Sequence, residues 1–149
     1  MPDALDPRDL TRCLVFLVAL AALVIGHQLG DHVVQTDHQA GGKTAPGAAG
    51  LRAMAGHLLG YHVTLGVALV GTTTLLGLPL SLPGVAAGLT FSAITHGMLD
   101  RRWPVRAILR AVGSERFAEA TTPICGMYLA DQALHYGALL VSALLVASL

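Results

Sequence analysis

Charge is what this sequence has least of. Only 12% of its 149 residues are Asp, Glu, Lys or Arg, against 54% apolar. A soluble domain usually carries about a quarter charged residues. The shortfall points to lipid as the solvent and to a single domain. The formal net charge is zero, so nothing attracts a polyanion, and a nucleic-acid partner is excluded on electrostatic grounds. Cysteine is scarce too. Cys13 and Cys125 form no metal motif, and in the topology below they fall near opposite membrane faces, too far apart to bridge. Gly41-Gly42-Lys43 lacks the spacing and the terminal Ser or Thr of a phosphate-binding loop.

What remains is long apolar runs. A spanning helix needs about 20 mostly apolar residues. Four segments qualify, at about 10–34, 51–76, 84–103 and 123–149. Arg8 and Arg12 ahead of the first run suggest a cleaved leader, but Asp3, Asp6 and Asp9 spoil its basic character. The helical pattern also continues through His27 and Asp31, so the segment reads as a retained helix. A Gly-rich loop with Pro46 follows it, and Pro79 and Pro83 bracket a short turn. The third helix is expected to stop before Pro104, and the fourth to start at Pro123. Between them, Arg106, Ala107, Leu109 and Arg110 fit a short amphipathic interfacial helix. The expected fold is an all-α up-down bundle of four transmembrane helices.

That topology gathers one end of each helix on one side of the membrane. Lys43, Arg52, Arg101, Arg102, Arg106, Arg110 and Arg116 all lie there, against Arg8 and Arg12 on the other. Basic loops stay in the cytoplasm, so this side reads as cytoplasmic and both termini as external. Trp103 reads as an interfacial anchor.

The ionisable residues converge on the same side. His27, Asp31 and Gln35 recur at steps of four, as do His96 and Asp100, and Asp131 and His135. Steps of four share one helix face. His57 and His62 flank Tyr61 on the second helix, and Gln132 adjoins Asp131. Because neighbouring helices run in opposite directions, a random scatter would put these residues at mixed depths. An Asp at mid-membrane costs roughly 2.5–3.5 kcal/mol on insertion scales. Three together repel unless cations intervene, and a divalent metal relieves that most completely. His and carboxylate ligands suit zinc, manganese or iron. The expected ligands are His27, Asp31, His57, His96, Asp100, Asp131 and His135, with some carboxylates orienting an imidazole instead. Asp100 or Asp131, left free of metal, would be the general base. For any one His–Asp pair, a plain interhelical hydrogen bond is the commoner role; such bonds contribute about 0.6 kcal/mol on average in membranes.

Two stretches echo one another, Gly26-His27-Gln28-Leu29-Gly30 and Gly56-His57-Leu58-Leu59-Gly60. Duplication and coincidence explain the echo equally well. Either way, glycines four apart allow close helix approach.

Asp31 followed by Gln35-Thr36-Asp37 and Lys43, then His57, Thr95-His96 with Asp100, and Asp131-Gln132 with His135, resembles in order the pattern of the DUF3307 family of small bacterial integral membrane proteins. The likeness spans residues 20 to 140 or so. His32 stands where an aromatic residue is common in the family. The resemblance implies a fold and a bacterial cytoplasmic membrane, and no reaction, since the family has none assigned. A weaker similarity extends to membrane-bound metal-dependent hydrolases, which also place His and Asp at the ends of membrane helices.

The leading expectation is thus a metal-dependent hydrolase at the cytoplasmic face, acting on a membrane-associated amphiphile. The alternatives are a proton- or metal-ion-handling transporter, in which the polar stripe would continue to the far side, and a non-catalytic assembly subunit. A homodimer suits so thin a bundle, although no residue fixes it.

Overall fold

The computed structural model describes residues 6–149; Asp3 lies outside them. All regular elements among the described residues are helical. The chain is a multi-pass membrane protein with four helices long and apolar enough to span.

Asp6 caps the first helix, α1 (Pro7–Leu29), by accepting a hydrogen bond from the Arg8 amide at 2.8 Å. The helix then widens into a π turn over Gly30–Val34, closed by the Gln35 amide donating to the Gly30 carbonyl at 3.1 Å. π turns are rare and recur at functional sites; this one carries Asp31. The expected Gly-rich loop contains a short helix, α2 (Asp37–Gly42). Thr36 and Gln39 close its N-terminus as a reciprocal capping box.

The second spanning helix, α3 (Gly47–Leu75), has 29 residues, or about 43 Å at 1.5 Å per residue. It overshoots the roughly 30 Å hydrocarbon core. Ser81 caps α4 (Leu82–Leu99) through the Gly84 amide at 2.9 Å. This helix ends four residues sooner than the sequence suggested. Arg102 turns into the left-handed region, at φ 63°, and breaks it. Pro104 does not terminate α4 but sits in the first turn of the next helix, α5 (Trp103–Ala111), where a missing N–H costs nothing. The amphipathic region is two short helices, α5 and α6 (Glu115–Glu119). The last span, α7, covers Gly126–Ser148.

Packing is uneven around the bundle. The α4–α7 contact is the most extensive, followed by α1 with α3 and with α7, while α3 and α4 share a smaller one that includes His57 and His96. Small residues explain the two tightest crossings. A Cβ on Gly88 would lie 2.8 Å from the Ser142 carbonyl oxygen of α7. One on Gly30 would meet the Tyr61 ring of α3 at 2.8 Å. Gly84, Gly88, Ser92 and His96 are all buried at steps of four. The stripe that lets α4 approach α7 therefore also delivers His96 to the interior.

Polarity is inverted relative to a soluble protein. Leu17, Ile25, Leu59, Val67 and Ile94 are exposed, whereas His27, His57, His96, Asp100, Gln132 and His135 are buried. Lipid facing outward and polar groups facing inward is the arrangement a bilayer demands. The interior has two zones. Val15, Ala19, Leu23, Leu65, Leu69, Leu139, Ala143 and Val146 form an apolar core, and the polar cluster lies at the other end.

Candidate metal centre

The polar cluster draws on all four spans. The π turn and last turns of α1 supply His27, Asp31 and Gln35; α3 supplies His57 and Tyr61; α4 ends in His96 and Asp100; α7 supplies Asp131, Gln132 and His135.

At its centre two imidazoles face each other. His57 Nε2 and His96 Nε2 lie 2.9 Å apart. Asp100 Oδ2 is 3.1 Å from the first and 3.2 Å from the second. A tetrahedral ion with N and O bonds of about 2.0–2.1 Å separates its ligand atoms by about 3.3–3.4 Å. The three sides of this triangle fall slightly inside that figure. Asp31 Oδ1 lies 3.3 Å from His57 Nε2 and 3.5 Å from His96 Nε2, and this buried oxygen has no hydrogen-bond partner. Buried groups normally find one. These His and Asp groups are thus placed where they can hold a metal ion.

The surrounding residues orient the four. Gln35 donates its side-chain amide to His57 Nδ1 at 2.8 Å. Rotating that amide would present its oxygen instead, so Gln35 can serve either tautomer of His57. Tyr61 stacks on His96, with ring centroids 3.8 Å apart, and its hydroxyl donates to His27 Nδ1 at 3.1 Å. His27 Nε2–H donates to Gln132 Oε1 at 3.1 Å. Both nitrogens of His27 are therefore bonded within the protein, while its Nδ1 also stands 3.5 Å from Asp31 Oδ2. Gln28 donates to Gln132 and to the Tyr136 hydroxyl, extending the network to the bundle surface.

Asp131 and His135 form a neighbouring pair, grouped with Asp100. His135 Nδ1–H donates to the Asp131 backbone carbonyl at 2.9 Å. This leaves the lone pair on Nε2, which is buried and unpartnered, as is Asp131 Oδ1. A cleft of about 200 Å³ opens above the cluster, lined by Asp31, Lys43, Asp100, Asp131 and Gln132 among others.

In the sequence Lys43 is one of the loop cations and the Lys of the ordered pattern, with no contact to the site expected. It instead reaches into the site, and its ammonium donates to Asp100 Oδ2 at 2.8 Å. Burial pushes the Asp100 carboxyl up, but hydrogen bonds from His57 and His96 and the Lys43 charge outweigh it, holding the group well below the usual carboxylate range. Tyr61 is the other residue whose part the sequence did not disclose. Its position between His57 and His62 was visible; its inward direction follows from Gly30, which leaves room for the ring. His62 bonds its own helix at the Leu58 carbonyl, 2.8 Å away. His32 contacts the Tyr128 hydroxyl at 2.8 Å, and His38 is exposed on α2.

No protein-family model, curated protein or solved structure matches this chain.

Proposed function

We propose that this protein is a metal-dependent hydrolase of the cytoplasmic membrane face, acting on a membrane-associated amphiphile. The observation that carries the reading is the triangle of His57, His96 and Asp100 with Asp31 beside it, buried beneath a cleft that Asp131 lines.

Charge supports a divalent ion. Asp31, Asp100 and Asp131 bring three negative charges and Lys43 one positive. One dication balances the remainder, which a low-dielectric site requires. Zinc, manganese and iron all suit the donor set. Such an ion would lower the pKa of a bound water towards neutrality and polarise the scissile group.

The chain's own residues divide the remaining work. His57, His96, Asp100 and Asp31 hold the ion. Asp100 is taken up by the ion and Lys43, so the general base is Asp131, which lines the same cleft and keeps an oxygen without a partner. His135, hydrogen-bonded through Nδ1, keeps an unprotonated Nε2 beside it. His27, Tyr61 and Gln132 fix the orientation of Asp31 and His96. The ordered pattern from Asp31 to His135 is the ground for placing the chain with the DUF3307 proteins. The basic residues at the site end are the ground for orienting it with both termini outside.

Transport ranks lower because of the apolar core. Leu23, Leu65, Leu69 and Leu139 fill the interior beyond the site, where an ion path would need polar groups.

Purified protein should contain about one metal ion per chain. It should hydrolyse at least one member of a panel of ester, amide and phosphoester amphiphiles. Chelation should abolish that activity and metal restore it. Asp131→Asn should lose activity while keeping the ion. Protein devoid of metal, or a fully active Asp131→Asn enzyme, would overturn the reading.

A further inference from the structure

The cleft above the site does not end there. A second, of about 280 Å³, runs between α5, α6 and the start of α7. The two share Arg102, Tyr128 and Asp131. Arg106, one helical turn beyond Arg102, lines the outer cleft. Among the described residues, neither arginine has a carboxylate within ion-pair distance, whereas Arg110 on the same helix pairs with Glu115 at 3.2 Å. Arg102 and Arg106 therefore line a passage leading to the half-buried Asp131, with no carboxylate paired to either among the described residues.

Two further features belong with them. Arg102 occupies the left-handed region, at φ 63°, where L residues other than Asn and Asp are uncommon. The turn itself would be met at lower cost by glycine, so the arginine side chain is the reason for a residue here that strains the backbone. Around the arginines, Trp103, Ile108, Val112 and Phe117 are exposed. An exposed apolar set beside unpaired cations at a helix end suits headgroup depth in a bilayer.

Resting on the hydrolase reading above, we propose that the substrate is an anionic lipid. Its phosphate or carboxylate headgroup would sit between Arg102 and Arg106, with its acyl chains left in the bilayer beside α5 and α6. Guanidinium forks match such oxyanions in geometry as well as charge. The headgroup would then be held at the mouth shared by both clefts, with an ester bond extending inward towards Asp131; water would add across that bond, its hydroxyl to the acyl or phosphoryl centre and its proton to the departing alcohol oxygen. With one dication bound, it and Lys43 would cancel the three carboxylates, so the centre would not repel the anion.

The test is lipid binding by native mass spectrometry of the purified full chain, with metal content measured on the same samples. The probes are phosphatidylglycerol, phosphatidylcholine and inorganic phosphate. The wild type should prefer phosphatidylglycerol over phosphatidylcholine about tenfold. The R102Q/R106Q variant should lose that preference with its metal unchanged, and R102K/R106K should keep most of it. No preference in the wild type, or one that survives in R102Q/R106Q, overturns the proposal. If R102Q/R106Q loses its metal as well, the lysine pair decides: lost preference with metal intact overturns the proposal, and retained preference supports it. Displacement of phosphatidylglycerol by inorganic phosphate at comparable concentration would assign the cleft to a soluble anion and overturn the lipid assignment. Protein without metal but with the lipid preference intact would remove the hydrolase and keep the binding cleft.

Discussion

The ammonium of Lys43 stands 2.8 Å from Asp100 Oδ2, with only 13% and 4% of the two side chains exposed. This pair ties the short helix after α1 to the end of α4, residues far apart in sequence and on either side of the cleft. It also supplies the positive charge nearest the carboxylates when no ion is bound.

Replacing Lys43 with Met should therefore expose the site's dependence on metal. Breaking a buried pair typically costs about 3–5 kcal/mol, because the partner charge is left uncompensated. In chelator, Lys43→Met should be destabilised by an amount of that order. Saturating metal should recover most of it, since the ion then neutralises Asp100. Thermal unfolding in detergent with and without chelator would read the difference. A deficit that metal does not change would mean that Lys43 and the ion serve unrelated groups.

His96 and His27 should separate cleanly. His96→Ala removes one side of the central triangle, so the purified variant should carry no stoichiometric metal. His27→Ala removes a residue whose nitrogens bond Tyr61 and Gln132, and should weaken metal binding about 10–100-fold without abolishing it. Competition with a metallochromic chelator would measure both. Equal losses would make His27 a direct ligand.

Gly88→Ala tests whether helix approach sets the site. The added Cβ would meet the Ser142 carbonyl and a Val146 methyl at 2.8 and 2.7 Å. Overpacking of this kind costs about 1–3 kcal/mol. Because α4 must move, His96 and Asp100 move with it, and metal affinity should fall although Gly88 lies two helical turns from His96. Unchanged metal affinity in a destabilised variant would show the two ends of α4 to be mechanically independent.

Arg102→Gly should make the protein sturdier and less useful. Relieving the left-handed backbone is worth about 1 kcal/mol, so resistance to denaturant should rise, while hydrolysis of anionic lipid should fall. A variant that gains neither stability nor a defect would leave the conformation of Arg102 without consequence.

Much of this arrangement is legible in the residue order, and the reason is membrane energetics. Charge is so costly in lipid that His27, Asp31, His96 and Asp100 at four-residue steps had to face inward, and the four spans follow from apolar length alone. The cluster's finer parts depend on things that periodicity does not carry. The capping box of Thr36 and Gln39 turns an apparent loop into α2, and only then does Lys43 point at Asp100. The π turn changes the register after Leu29, and no propensity of Gly30 to Val34 announces it. Tyr61 reads as ordinary packing until Gly30 is seen to leave space for its ring. Pro104 suggests a stop at residue 103, whereas α4 ends at Leu99 and the backbone of Arg102 provides the break.

The widened turn at Gly30–Val34 also bears on how this protein tolerates change. It uses five residues where a regular helix closes its hydrogen bond over four, so α1 carries one residue of slack just ahead of Gln35. Deleting a single residue there would return the segment to regular α-helix and leave Gln35 and the capping residues after it close to their places beside His57 and α2. The extra residue is thus absorbed within the turn, and what it changes is the direction of the side chains it carries, Asp31 among them. Val33 and Val34 face outward and can be exchanged for other apolar residues, so a deletion at either should act on the site through Asp31 and not through Gln35.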